Sequence, residues 1–502
     1  MKPRESALHD PVAALMPWLA SRGLPLARRG SAARRGWAAL RGWAARRGWP
    51  LAATAGLVVI GMVTTTWGAT LLGKPDWALP DDLWRTLVAA QRLQHGNLNG
   101  LYTPPTALVS FPGAAVILVP LVAVTGAVGL SLQMPGPLNA HPAVWLLAGP
   151  YEIALAALVL FAVDAIAEHL NASRPKRAVL AAAGAVALWG VTLRFGHPED
   201  AVAVGLFLYG ILALARARAS TRTNTRANTR ASTRASTRTR RPGYLCAWLI
   251  GAAVAVQPLV LLALPLVLVV TERRLRAGFL ARAAAPGLLA LGVAAAADWH
   301  ATVGAVTSQP NSTTINHPTP WTSLAAHLGG GMVAAGPARA LAVLAACGCA
   351  IAAGRHWATA MRGAAGPGPA TPGPATPGAA GPGATRPGAP MPGAEWSPET
   401  LARLLWWIAV ALALRSVFEP VMVAYYVWPV LAVALIPAAR NWPRLAAVVV
   451  VTAGVTFAAQ LPWHDPWRWW LLMITGLTLV LWLARVPAAG TPQPHQPRPG
   501  PA

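Results

Sequence analysis

Residues 51–72, LAATAGLVVIGMVTTTWGATLL, run for a full membrane thickness without one ionisable side chain. At 1.5 Å per helical residue the run spans roughly 30 Å, the depth of a bilayer's hydrocarbon core. A secretory leader is excluded, because the run begins some 50 residues into the chain, is too long for an apolar signal core and ends in no small-residue cleavage site. It reads as a retained anchor. The remainder of the chain repeats the pattern: 55% of its residues are apolar and only 11% are charged, against about 25% charged in soluble domains. Further apolar runs follow as far as residue 485, enough for roughly eleven to thirteen crossings. The expected fold class is an all-α polytopic membrane protein.

The formal net charge of +25 does not describe a basic folded surface, since ten of the 41 Lys and Arg precede the first span and nine more lie between Arg216 and Arg241. Basic segments beside apolar spans mark the cytoplasmic side and gain from anionic lipid headgroups. The expected partners therefore include membrane lipids and exclude nucleic acid, and the expected location is the cytoplasmic membrane of a bacterium. The composition, heavy in Ala, Arg, Pro and Gly, is that of a high-GC genome such as an actinobacterium's. Cys246, Cys347 and Cys349 all lie in apolar stretches, which suits core packing better than a disulfide framework or a zinc site.

The chain divides accordingly into a basic segment at 1–50, a first membrane part at 51–217 with an outer loop at 73–106, and a Thr/Arg repeat loop at 218–242. A second membrane part at 243–362, a Pro/Gly-rich linker at 363–400, a last membrane part at 401–486 and a tail at 487–502 complete it. The Thr/Arg tract has no apolar face and reads as an unstructured loop. The repeated RGW at 35–37, 41–43 and 47–49 reads as an interfacial helix on the cytoplasmic leaflet. Placing every basic segment inside makes two runs, 107–130 and 244–271, enter and leave on one side. Each must then be a broken pair, interrupted at Pro112, Pro120 or Pro258, where irregular backbone is satisfied by protein or a water-filled cavity.

Ionisable residues gather on the opposite, outer side. Asp81 and Asp82 open the pattern DDLWRTLVAAQRL, in which Leu83, Leu87, Val88 and Leu93 share the face of a surface helix, and Asp81 suits its first turn. The stretch RFGHPEDAV at 194–202 supplies His197, Glu199 and Asp200. ALRSVFEPVMVAYYVWP supplies Arg415, Glu419 and Tyr425, while Asp298, His300, His317, His464 and Asp465 complete the set. Charged groups at membrane depth are costly and default to function. Arg415 either pairs structurally with Glu419 or clamps a phosphate. Imidazoles and carboxylates are compatible with a divalent cation, but no HExxH or paired Cys calls for one, so no cofactor is expected. The missing G-x-x-x-x-G-K-[ST] loop excludes an ATP-driven pump.

The order of these features, an acidic first outer loop, an amphipathic helix and TLVAAQRLQHGNLNGLYTPP running into FPGAAVILVPLVAV, resembles the polyprenol-phosphate-dependent integral-membrane glycosyltransferases of the GT-C fold. GHPEDAVAVGLFLYGILALARAR, AWLIGAAVAVQPLVLLALPLVLV and YYVWPVLAVALI extend the likeness over roughly residues 50–440. The chain departs from the family at Gly113, where a second Pro is usual, and at Gln257, where many relatives carry Lys. The resemblance implies inverting transfer of a sugar, with mannose expected from the bacterial mannosyltransferase-like members. The donor would be a lipid-linked sugar and the acceptor a cell-envelope glycan or glycolipid. Asp81 or Asp82 would be the general base, with Asp81 preferred; Arg415 would hold phosphate, and His197, Glu199, Asp200, Glu419 and Tyr425 would contact substrate. A multi-pass secondary transporter and a noncatalytic membrane protein of the same descent are the alternatives. The long acidic loop and the lack of an evident inverted repeat speak against a transporter.

Overall fold

The computed structural model describes residues 42, 44–71, 81–103, 108, 110–132, 144–227, 235–314, 316–364, 397–461 and 465–486. Among these, eight helices are long and apolar enough to cross a membrane, and five shorter apolar helices accompany them. The chain is a multi-pass, predominantly α-helical membrane protein.

In chain order the helices are α1 (Gly48–Leu71), α2 (Asp81–Gln94), α3 (Pro112–Val116), α4 (Val119–Ala127), α5 (Trp145–Ala156), α6 (Leu158–His169), α7 (Arg174–Trp189), α8 (Pro198–Ala227) and α9 (Ala235–Val256). A 3-10 segment (Pro258–Ala263) leads into α10 (Leu264–Val270), followed by α11 (Arg276–Ala297) and α12 (Trp299–Ser308). Four short strands, β1 (Pro310–Ser312), β2 (His317–Pro318), β3 (His327–Gly329) and β4 (Met332–Ala334), precede α13 (Gly336–Ala364) and α14 (Pro398–Phe418). After β5 (Val421–Met422) come α15 (Trp428–Ala438), α16 (Trp442–Gln460) and α17 (Pro466–Ala484).

Ion pairs define one end of the bundle as basic. Arg47 and Arg177 clasp Asp164 at 2.5 and 2.6 Å, Lys176 donates to the Arg440 carbonyl, Arg440 pairs with Glu399, and Arg444 donates to the Arg485 carbonyl. Arg47, in the last RGW, is thus held inside the protein; residues 35–41 and 43 of the repeat lie outside the described residues. Desolvating that guanidinium is offset by two carboxylates, Asp164 and, at 2.6 Å, Glu168.

The two runs with ambiguous parity resolve differently. Arg218, near the basic end of α8, pairs with Glu272 just past α10 at 2.8 Å, while Gln257 reaches the first turn of α8 at the other end. The chain from 244 to 272 therefore goes out through α9 and returns through the 3-10 segment and α10, breaking at Gln257–Pro258. Proline forces that break: it lacks the N–H that a continuing helix needs, and it holds the preceding Gln257 extended, at φ −150° and ψ 120°. The run 107–130 breaks between Val116 and Val119. It folds as α3 and α4, both packed on α2, with Trp84 of α2 donating to the Leu132 carbonyl at 2.9 Å.

The face of α2 formed by Leu83, Leu87 and Ala90 is fully buried, so this helix covers protein where a surface helix on lipid was expected. Small β-sheets are a second departure from an all-α reading: β1, β4 and β3 form one, and β2 pairs with β5 in the register His317↔Met422. Three consecutive glycines with positive φ, Gly329 to Gly331, turn the chain between β3 and β4. Helices α8 and α9 also extend into the Thr/Arg tract, as far as Ala227 and from Ala235, because Arg and Ala favour helix; α9 continues through Pro242 and Gly243.

Candidate functional site

The polar end is built around RFGHPEDAV. Helix α7 loosens into a π-turn at Gly190–Arg194, and the amides of Phe195, Gly196 and His197 donate to the carbonyls of Gly190, Thr192 and Val191 at 3.1, 3.1 and 2.9 Å. Gly196 adopts φ 68°, a left-handed geometry that side chains strain. Pro198 then opens α8, placing Glu199 and Asp200 in its first turn, where the helix dipole favours carboxylates. This local sequence aims His197 inward, where it is 5% exposed.

Both ring nitrogens of His197 are engaged: Nε2 meets Asp82 Oδ2 at 3.0 Å and Nδ1 meets Glu199 Oε1 at 2.7 Å. Tyr425 stacks on the ring at 4.4 Å. Burial works to lower the imidazole's proton affinity, but the flanking carboxylates of Glu199 and Asp82 outweigh it and raise its pKa well above 6.5. For Asp82 burial works upward, but the His197 hydrogen bond and the charges of His197 and Arg85 hold its carboxyl below 3.8. At neutral pH His197 is an imidazolium facing the Asp82 carboxylate.

The sign of each shift sets a pH window. The raised histidine contributes stability that is complete below about 6.5 and is lost as pH climbs through its folded value. The depressed Asp82 contributes stability present above about 3.8 and lost as pH falls below it. Thermal unfolding of the detergent-solubilised protein across pH should therefore show an alkaline decline above 6.5, and His197→Gln should flatten that limb. An unchanged limb in the variant contradicts the assignment.

The cluster continues through Gln257. Its Nε2 donates to Asp200 Oδ1 at 2.6 Å and to Ser110 Oγ at 3.2 Å, and Ser110 Oγ reaches Glu199 Oε1 at 3.5 Å. Gly113 makes this possible: a Cβ there would collide with the backbone of Ala255 and Val256, immediately before Gln257. Gly113 and Gln257 thus meet in space.

Arg415 lies over the Tyr426 ring at 3.9 Å, and its Nε is 3.7 Å from Glu419 Oε2. The stronger partner of Glu419 is Arg339 of α13, which donates through Nε to both carboxylate oxygens at 3.1 Å and through Nη2 at 2.8 Å. Arg339 also donates to Gln309 Oε1. Thr319 ties the loop down by donating to the Glu419 carbonyl at 2.7 Å, beside the β2–β5 pairing. Two guanidinium groups thus share one carboxylate. Both line a cavity of about 250 Å³ whose other walls include Gln257, Pro258, Leu262, Gln309, Ala342 and Val343.

Asp82, His197, Glu199, Asp200, Arg415, Glu419 and Tyr425 therefore come together from α2, α8, α14 and their flanking turns. Asp81 is the first residue of α2; its side chain lies outside the described residues. So does His464. Asp298 and Asp465 serve as caps of α12 and α17, accepting from Ala301 and from Trp467 and Arg468. His317 stacks on Trp469 at 4.1 Å, and His300 is exposed.

Arg339, Gln309, Ser110 and Glu152 were missed in the sequence. Arg339 and Glu152 carried the signal of an ionisable residue inside an apolar run. Glu152 is 1% exposed, and neither carboxylate oxygen finds a hydrogen-bond partner among the described residues. Nor do the described residues hold a group of three His, Cys, Asp or Glu suited to a metal ion. No family model, curated protein or solved structure matches the chain, so its function must be read from this site.

Proposed function

We propose that the chain is a membrane glycosyltransferase that moves a sugar from a polyprenyl-phosphate donor to a hydroxyl of a cell-envelope glycan or glycolipid. The observation that carries the reading is the juxtaposition of an Asp–His–Glu cluster with a cavity lined by Arg339 and Arg415 and walled by apolar side chains. Guanidinium groups suit a phosphate, and the apolar wall suits the first isoprene units of a lipid tail.

In this mechanism the Asp82 carboxylate takes the proton of the acceptor hydroxyl as its oxygen bonds to the anomeric carbon. The bond from that carbon to the phosphate oxygen breaks on the opposite face, inverting the centre. Polyprenyl phosphate leaves with the electron pair, its charge met by Arg415 and Arg339. His197 has no free ring nitrogen for substrate, so its role is to orient Asp82, while Glu199 fixes the imidazole in turn. Asp82 is the base in preference to Asp81 because its carboxylate is part of this chain and still 40% exposed.

Arg339→Gln and Arg415→Gln should each raise the KM for a polyprenyl-phosphate sugar by about tenfold or more, as loss of a charge-assisted contact costs roughly 1.5–3 kcal/mol. Unchanged KM in both contradicts the phosphate role. The break at Gln257–Pro258 beside buried charges also favours a second reading, a secondary transporter. Solute accumulation in vesicles, without consumption of any lipid-linked sugar, decides for it.

A further inference from the structure

A groove of about 590 Å³ runs between α1 and α7, away from the polar cluster. Ala52, Gly56, Ala178 and Ala182 line it, and Trp49 and Trp189 stand at its two ends. Ile60 and Val186 on its rim are 55% and 52% exposed, so in a bilayer the groove opens to lipid tails. Small residues set the depth here: an added Cβ at Gly56 meets nothing within 4 Å.

Apolar walls alone would admit any lipid. Charge distinguishes this groove. Arg174 precedes Ala178, Ala181, Ala182 and Ala185 by 4, 7, 8 and 11 positions, the spacing of one helix face. Arg46 stands one turn before Trp49. Both arginines are exposed and neither has an ion-pair partner among the described residues, whereas their neighbours Arg47 and Arg177 are committed to Asp164. The basic mouth of an apolar groove therefore carries two cations without counter-ions.

We propose that this groove binds one acyl chain of an anionic phospholipid, with the headgroup phosphate held by Arg46 and Arg174. Charge complementarity selects an anionic over a zwitterionic lipid, because a choline group would return a positive charge to the same mouth. The bound chain bridges α1 and α7 below Trp189, the residue that immediately precedes the π-turn leading to His197. Gly61 of α1 packs on Leu193 within that turn. The lipid thus braces the turn on which the polar cluster is mounted.

The test uses the full chain, purified in detergent, stripped of lipid and returned to phosphatidylcholine vesicles containing about one quarter phosphatidylglycerol. Retained lipid is read by native mass spectrometry and the unfolding temperature by tryptophan fluorescence. Phosphatidylglycerol is expected to be retained over phosphatidylcholine and to raise the unfolding temperature. The double variant Arg46→Gln/Arg174→Gln should weaken its binding about thirtyfold, at about fivefold for each basic contact. Gly56→Phe should abolish it by filling the groove. Equal retention of the two lipids, or wild-type binding by the double variant, overturns the proposal; complete displacement by glycerol phosphate overturns the acyl-chain part. If Gly56→Phe fails to fold, the exposed arginine variants still decide. No residue lining the groove belongs to the polar cluster, so the proposal's failure leaves the reading of that cluster standing.

Discussion

Replacing Asp82 with Asn is expected to lower the turnover of sugar transfer by roughly 10²–10⁴-fold, the usual contribution of a general base. The amide is nearly isosteric and can still face His197 Nε2, 3.0 Å away from the native carboxylate, so donor KM should change little. Asp81→Asn made separately should retain most activity, because the Asp–His–Glu chain runs through Asp82. The pair of variants distinguishes two neighbouring carboxylates that composition treats as equals. Wild-type turnover in Asp82→Asn contradicts the base assignment.

The largest loss of stability is expected at the other end of the bundle. Asp164 is 2% exposed in its side chain and is held by Arg47 at 2.5 Å and by Arg177 at 2.6 and 2.7 Å. Asp164→Ala leaves two largely buried guanidinium groups facing each other with only Glu168 between them. Breaking a buried pair by removing one partner costs about 3–5 kcal/mol; the residual contacts to Glu168 put this case near the lower value. Unfolding in detergent micelles measures it. A triple apolar replacement, Arg47→Met, Arg177→Met and Asp164→Leu, should recover much of the loss, because it removes the charges together with their desolvation. If Asp164→Ala unfolds at the wild-type denaturant concentration, the cluster does not hold α1 to α6 and α7.

The spans were legible because their cause is local: a bilayer demands long helices poor in charge, and the runs 178–195 and 401–418, with one and two ionisable side chains, show them directly. The clustering of HPED with Arg415 and Glu419 was legible because charges at membrane depth are few. What could not be read depends on contacts distant in sequence. Asp81 and Asp82 differ by about 100° around α2, and only the packing of Leu83 and Leu87 decides which carboxylate faces His197. Glu419 had a visible neighbour four residues back, yet its main partner, Arg339, comes from 80 residues away. Likewise the RGW repeat suggested lipid contact, and only the folded bundle brings Asp164 against Arg47. Pro258 announced a break, but the return of α10 to the basic end rests on the pairing of Arg218 with Glu272. Gly113 and Gln257 are far apart in sequence, yet they are one feature, a close helix approach that sets the glutamine between Ser110 and Asp200.

Transfer of a sugar from a lipid phosphate by the polar cluster is open to direct measurement. The most direct measurement places the purified full chain in vesicles with radiolabelled polyprenyl-phosphate mannose and a hydroxyl acceptor, and follows both the released lipid and the anomeric configuration of the product. Stoichiometric release of polyprenyl phosphate and a product of inverted configuration are expected. Failure to consume any polyprenyl-phosphate sugar offered, while the same vesicles accumulate solute, contradicts the transfer.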